Sequence, residues 1–592
     1  MKYYLLAVIA LLSLSAYEQE KGFKSIIRED QEFYDKLNII SRSGFDSLND
    51  FRMMNLKQPE VKTLVRRVFG YHPYWAGSNY LNYQWDLLTD LCFFSYEVDP
   101  ATGDPITIHD WYTSEAVDSA LANGVNVHLC VTMFSGHATF FGSATSRQTL
   151  ISNVIGLILN RGAQGVNVDF EAVPLSQSVQ MTEFLTDLAN QVHAALPGSM
   201  VSIASPAVNW NNTFNVTALS EVLDFFMVMG YDYYWNGSSQ AGPVSPLFTM
   251  TGSYDYNFTK TVSYYQSQGV PTYKIIMGVP YYARQWQTEG QYAPSNTVGT
   301  GTAYTYRFVK DNASGYYSAG NQHIEPNSCS TYYSFNTESW NQCFLDESYS
   351  MAKKYDLINR RNLAGIGIWA LGYDNGYMEM WDLIGQKFTE IPELSDSDTI
   401  YDSGGPSFNY YNNESYLYTV SVVNPKIIHL SFDFLDIEDG YDSLWIFDGA
   451  DTSGSPAGYY SGNTTPAEFF ASTNIVTLKF SSDNGITGQG WQAIYEAYPP
   501  SGSTEKAEAT ASVCVYPNPA ENWIHVKPIN FRGMIEITVI SSLGRRVSSM
   551  EQSFNYPGSG DKSLDISGLP KGIFYLRIKA GKMVTVHKIV HL

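Results

Sequence analysis

Gln164-Gly165-Val166-Asn167-Val168-Asp169-Phe170-Glu171 alternates apolar and polar side chains from Val166 onward. Strand side chains point to opposite faces in turn, so Asn167, Asp169 and Glu171 share one face and Val166, Val168 and Phe170 the other. In a barrel of parallel strands, the apolar face suits the surrounding helices and the polar face points inward. Glu171 then stands at the C-terminal mouth, where barrel enzymes place their chemistry. A buried polar network that only braces the barrel is the bland alternative. Carboxylates without partners in such an interior are costly, which argues against it.

Working outward, short apolar runs recur at spacings that leave room for helices. They are Arg67–Gly70, Leu91–Tyr96, Asn126–Thr132, Gly165–Phe170, Val201–Ala204, Phe225–Met229, Lys274–Val279 and Gly365–Ala370. Helical patterns such as Val179–Ala195 lie between them. Eight strands alternating with helices predict an α/β fold, a (β/α)8 TIM barrel over residues 66–390. The Tyr-, Thr-, Gly- and Asn-rich stretch after the seventh strand, about 287–350, predicts an inserted subdomain. Ahead of the barrel, residues 17–65 read as a charged helical lead-in, with helices over Ile26–Leu37 and Phe51–Leu64, packed on the barrel.

The helical patterns stop near Leu394. Residues 395–499 show short alternating strands between Gly, Asn, Asp and Ser turns, a β-sandwich pattern. A small polar stretch, SGSTEKAEATAS, predicts a linker over 500–512, and residues 513–592 again read as β-strands. The fold class is thus a TIM barrel with two C-terminal all-β sandwich domains.

The formal net charge of −22 disfavours nucleic acid and anionic membranes as partners. The 44 Tyr and 12 Trp suit a carbohydrate enzyme, whose exposed rings stack on sugars, although most rings in any protein serve its core. Met1-Lys2, the apolar run Leu5–Leu12 and the small residues ending at Ala16 predict a signal peptide over residues 1–16. No other apolar run approaches the ~20 residues a spanning helix needs. Five cysteines do not make a disulfide scaffold. Cys329 and Cys343 are spaced to close a local loop, Cys92 and Cys130 read as small hydrophobes in buried strands, and Cys514 has no obvious partner.

Several strand ends together resemble the family-18 glycoside hydrolases, the chitinases and their relatives. Phe69-Gly-Tyr71-His-Pro-Tyr-Trp75 is similar to the family's first-strand motif, and Met229-Gly-Tyr231-Asp232 to its Met-x-Tyr-Asp. Gly278-Val-Pro-Tyr-Tyr282-Ala-Arg284-Gln-Trp286 is similar to its seventh strand, and Gly365-Ile-Gly-Ile-Trp369-Ala-Leu-Gly-Tyr-Asp374 to its eighth. The family's Asp-Gly-x-Asp-x-Asp-x-Glu survives as Gly165, Asp169 and Glu171, with Gln164 and Asn167 at its two earlier acidic positions. The resemblance implies substrate-assisted hydrolysis of a β-linked N-acetylglucosamine glycan, chitin or its oligosaccharides, with no catalytic cofactor. It implies Glu171 as proton donor, Asp169 on the acetamido N–H and Tyr231 on the acetamido oxygen. Tyr71, Trp75, Met229, Asp232, Tyr282 and Arg284 line the sugar site, and Trp369 is its floor. Asn167 cannot share a proton with Asp169, but its amide can donate to that carboxylate and hold it ionised, which changes the pH profile. Some relatives that cleave bacterial wall glycans also carry Asn here. Peptidoglycan and N-glycan cores are therefore alternative substrates, and a non-catalytic surface lectin is the alternative from another class.

Residues 401–483 resemble a CUB domain through Tyr401-Asp-Ser-Gly-Gly-Pro, Phe432–Glu438, Tyr441–Gly449 and Ser482-Asp483. That resemblance implies a Ca²⁺ site at Glu438, Asp442 and Asp483, all hard oxygen donors. Val515-Tyr-Pro-Asn-Pro-Ala, Leu569–Leu576 and the ending Lys588–Leu592 resemble the C-terminal sorting domain of the type IX secretion system. It implies that machinery as a partner and secretion from, or a place on the outer surface of, a Gram-negative bacterium; separately, the protein is expected to be a monomer.

Overall fold

The computed structural model describes residues 23–54, 63–390, 392, 394–499, 512–516, 520, 522–529, 533–541, 547, 552–556, 561–580 and 583–591. The signal peptide at 1–16, all of the 500–512 linker except Ser512, and Pro517-Asn518-Pro519 lie outside these residues. Two units follow one another, 1–499 and 500–592.

All eight barrel strands form: β1 (Arg67–Pro73), β2 (Asp90–Val98), β3 (Asn126–Met133), β4 (Gly165–Phe170), β5 (Met200–Pro206), β6 (Phe225–Met229), β7 (Ile275–Pro280) and β8 (Gly365–Trp369). Every neighbouring pair is parallel, and β1 pairs with both β2 and β8, which closes the barrel. The two faces of β4 separate as its alternation requires. Phe170 stacks on Phe184 of the helix Ser178–Ala195 at 5.6 Å, while Asn167 and Asp169 are fully buried inside.

The predicted insertion after β7 is a six-stranded antiparallel sheet that already begins at Tyr282–Thr288 and takes in Gln240–Ala241 from the loop after β6. Tyr282 and Arg284 project from one face of its first strand. Cys329 and Cys343 are free thiols, so no disulfide closes the loop their spacing allows. Cys92 and Cys130 are buried and free, as small hydrophobes in strands should be.

The lead-in differs from its prediction. The first helix, α1 (Ile26–Lys36), is present with Ser25 as its N-cap, but the second is α2 (Arg42–Leu48). Residues 51–54 carry no regular structure, and 55–62 lie outside the described residues. Ser41 supplies the cap that starts α2, accepting from the Gly44 N–H, and Phe45 buries against the barrel. Within Phe51–Leu64 residues 51–54 are not helical, and the stretch contains Pro59, which a helix interior rejects.

Residues 397–498 form two four-stranded antiparallel sheets. This sandwich is fastened to the outer helices of the barrel. Asp398 accepts from Lys353 at 2.7 Å and Arg360 at 3.0 Å, and the Arg361 guanidinium lies 3.1 Å from the Tyr416 ring centroid. The second unit has its own core around Ile524, Val539, Leu564 and Ile578, between a three-stranded and a four-stranded sheet. Among the described residues no helix is long and apolar enough to cross a membrane.

Candidate active site

The end of β4 is tied to its neighbour by the Glu171 N–H, which donates to the Met133 carbonyl at 3.2 Å, and this sets the Glu171 side chain over the barrel mouth. Burial pushes its carboxyl up to about 7, with the nearby Asp232 charge acting in the same direction. Asp169, one layer deeper, is raised well above the usual carboxylate range by burial and by the Glu171 charge. Both Asp169 oxygens and the Tyr231 hydroxyl are buried without a hydrogen-bond partner among the described residues. Tyr231 feels the charges of Asp169, Asp232 and Glu171, so these groups face one space. Gly278 gives the Tyr231 ring its room, since a Cβ there would sit 2.8 Å from the ring edge.

Asn167 does not hold Asp169, contrary to the expectation from sequence. Its Nδ2 donates to Ser202 Oγ at 2.9 Å, and its Oδ1 accepts from the Tyr71 hydroxyl at 2.8 Å. Residues two apart on a strand stand about 6.6 Å apart along it, whereas Ser202 is its direct neighbour on β5 and Tyr71 reaches across the barrel. The amide is therefore satisfied sideways, and Asp169 is left to other partners.

Around this centre the structure gathers the remaining predicted residues. Asp232 Oδ1 accepts from Tyr282 at 2.6 Å and from Arg284 at 3.3 Å. Arg284 is fully buried, so Asp232 supplies much of the charge it requires. Tyr71, Trp75 and Trp369 form a ring cluster, with centroids 5.4 Å apart for Tyr71–Trp369 and 6.3 Å for Trp75–Trp369. Met229 ends β6 and lines the cavity beside Tyr231, together with Pro206 and Trp210.

Sequence reading missed Tyr373, whose hydroxyl accepts from Trp75 Nε1 at 3.2 Å. It also missed four residues of the lead-in. Ser25 Oγ donates to Glu171 Oε1 at 2.7 Å, and Glu29 pairs with Arg284 at 3.1 Å. Asp30 accepts from Trp369 and Tyr373, and Tyr34 stacks on Trp75. Nothing in the local pattern Ser25–Tyr34 distinguishes these contacts from an ordinary capped surface helix.

In the sandwich, ligand oxygens of Glu438, Asp442 and Asp483 lie within 4.8 Å of one another. None of the three forms a salt bridge to a described residue. Backbone N–H groups hold them in place: Asp483 N–H donates to Asp442 at 2.9 Å and Ile486 N–H to Glu438 at 3.0 Å. Three converging hard oxygens without a cationic side chain fit a Ca²⁺ ion.

Three family profiles match the chain in succession. Glycosyl hydrolases family 18 matches residues 67–374, the CUB domain 392–495, and the secretion system C-terminal sorting domain 514–591. A Bacillus subtilis (strain 168) protein, named provisionally as a sporulation-specific glycosylase, is 26% identical over 232 residues, 38% of this chain and 51% of its own. The class V chitinase of Arabidopsis thaliana is 27% identical over 264 residues, 41% of this chain and 66% of its own. The chain thus spans less than two thirds of either relative. Among solved structures, a family-18 N-acetylglucosaminidase of Paenibacillus barengoltzii aligns with a TM-score of 0.49 at 18% identity, over 55% of this chain and 100% of that one.

Proposed function

Since the chain belongs to the glycosyl hydrolases family 18, we propose that it cleaves β-linked N-acetylglucosamine glycans, chitin or chitooligosaccharides, with retention at the anomeric carbon. The observation that carries this reading is the buried pair of Asp169 and Tyr231, without hydrogen-bond partners among the described residues, beside a Glu171 raised to about 7. Buried polar groups without partners are destabilising and rare, and here both acceptor and donor match a 2-acetamido group. Protonated Glu171 gives its proton to the glycosidic oxygen as that bond breaks. The substrate's acetamido oxygen closes on the anomeric carbon, and the leaving saccharide departs with the proton. Asp169 accepts the acetamido N–H and balances the positive charge of the oxazolinium ring. Tyr231 orients the acetamido oxygen. Water then opens the ring as the Glu171 carboxylate takes its proton. Asp232, held by Tyr282 and Arg284, borders the sugar, and Trp369, Trp75, Tyr71 and Met229 shape the platform around it.

Release of reducing ends from chitooligosaccharides, purified peptidoglycan and a high-mannose glycoprotein tests the reading, with Glu171→Gln as control. Loss of a cleavage in the variant supports it, and the substrate cleaved selects the glycan. Asn167 is the feature that favours peptidoglycan as the second candidate. Glycan binding without cleavage of any of the three would leave a lectin instead.

Asn167→Asp tests how the site titrates. A third carboxyl beside Asp169 disfavours ionisation of its neighbours, so the alkaline limb of the pH–rate profile moves upward by on the order of one pH unit. An unmoved limb would show that position 167 does not couple to the acid.

The sorting domain supports export by type IX secretion and a place outside the cell or on its outer surface. In the CUB-like sandwich, Glu438, Asp442 and Asp483 would hold Ca²⁺ as a structural brace. If affinity is that of an extracellular module, 10 mM Ca²⁺ stabilises the domain by about 1.4–2.7 kcal/mol. Thermal unfolding with EDTA, with Ca²⁺, and with Ca²⁺ in Asp442→Asn measures this. Equal melting of all three would exclude the ion.

A further inference from the structure

The helix α1 lies in the mouth of the barrel and engages the same groups that the proposed reaction requires. Its N-cap, Ser25, donates its hydroxyl to Glu171 Oε1 at 2.7 Å, and the next residue, Ile26, donates its backbone N–H to Asp232 Oδ2 at 2.7 Å. One turn on, Glu29 meets Arg284 at 3.1 Å, and Asp30 accepts from Trp369 Nε1 at 3.1 Å and Tyr373 at 2.6 Å. Another turn on, the Tyr34 ring lies on Trp75 at 4.7 Å, with 8° between the planes. Ser25, Glu29 and Tyr34 thus descend the helix about 14 Å, at 1.5 Å per residue, and each turn meets one part of the site.

The Ser25 hydroxyl and the Ile26 N–H are groups of the kind an N-acetylglucosamine chain offers, and the Tyr34 ring lies flat on Trp75, where a sugar face would stack. Ile26 and Ile27 are buried to 1% and 0% exposure, so this is a packed contact and not a surface brush. Trp75 and Trp369, which a sugar platform needs open, are at 0% exposure with Tyr34 and Asp30 over them. The segment is clamped at its far end as well. Asp46 accepts from the Ser78 N–H and hydroxyl, Asn49 donates to the Trp75 carbonyl at 2.7 Å, and Arg307 donates to the Asn49 and Asp50 carbonyls.

We propose that residues 23–54 are an autoinhibitory segment in which α1 occupies the saccharide site as a pseudosubstrate, so that the intact chain is latent until the segment is cut away or displaced. The inference rests on the reading of the mouth as the glycan site and adds its regulation. Occupancy by a tethered group lowers apparent affinity by the fraction of molecules whose site is free, while the chemistry of that fraction is unchanged. Latency therefore appears in KM, with kcat preserved.

The test uses the full chain with a recognition sequence for a specific protease placed between Met54 and Thr63, assayed before and after cutting. A second full-length variant, Asp30→Ala with Tyr34→Ala, loosens the segment without any cut. Hydrolysis of a chitooligosaccharide gives KM and kcat. Calorimetric titration of chitotriose into the same proteins carrying Glu171→Gln gives affinity apart from chemistry. The expected result is a tenfold or greater fall in both KM and dissociation constant after cutting and separation of the released segment, a smaller fall in the loosened variant, and equal kcat. Unchanged KM and affinity with active enzyme would overturn the latency and leave the glycosidase standing. Tighter binding without hydrolysis in any form would keep the segment's role and overturn the enzyme. No binding and no hydrolysis in any form would overturn both.

Discussion

Glu171→Gln is expected to lower kcat on a susceptible oligosaccharide by about 10²–10⁴-fold, the usual worth of a positioned general acid, with KM nearly unchanged. The side chain keeps its size, and the backbone N–H that fixes the end of β4 is untouched, so circular dichroism should match wild type closely. The amide cannot deliver a proton to the leaving oxygen. The wild-type pH–rate profile carries the same signature. The acid works only while protonated, and burial holds its carboxyl up to about 7 while α1 covers it. The rate should fall about tenfold for each pH unit above the pKa of the uncovered acid, a limb the variant's residual rate should lack. A variant that retains full rate, or a wild-type profile with no such limb, would remove Glu171 from the role.

Asp169→Asn should separate activity from stability in opposite directions. The carboxylate is expected to balance the oxazolinium charge, and its loss should lower kcat by about 10²–10³-fold, as for other groups aimed at developing charge. In the resting protein the same carboxyl is buried, lacks a hydrogen-bond partner among the described residues and faces Glu171, so its ionised form is destabilising. A neutral amide of the same shape relieves that. Because the folded-state pKa is raised, the cost appears as pH rises above the unfolded value of about 4 and grows toward neutrality. The variant should therefore melt higher than wild type at pH 7, with the difference closing toward pH 4. Lower activity together with lower stability at pH 7 would mean that Asp169 is a structural acceptor.

What was legible in the sequence followed from local rules. Alternation along Val166–Glu171 separated the inward polar residues from those on the helices, and the structure places Phe170 on Phe184 and Asn167 opposite Ser202 accordingly. Eight apolar runs with helical spacing between them specified the barrel, because each strand must be covered on its outer face by the helix that follows. Strand-end motifs located Tyr231, Asp232, Tyr282, Arg284 and Trp369 at the barrel mouth.

Contacts between distant segments were not legible. Asn167 was expected to hold Asp169, its neighbour in sequence, yet Tyr71 and Ser202 lie closer in space and satisfy it. The second helix was expected from Phe51, whereas the cap at Ser41 starts α2 at Arg42 and residues 51–54 are not helical. That the charged lead-in enters the barrel mouth was invisible for a physical reason. Ser25, Glu29, Asp30 and Tyr34 are ordinary residues of a capped amphipathic helix, and their partners lie about 40 to 340 positions away in the chain. Periodicity along the sequence therefore determined the barrel, and the strand-end motifs placed these polar and aromatic residues at its mouth. Only tertiary packing decided what occupies its mouth, since no local pattern records the shape and charge of a surface assembled from eight separate strand ends.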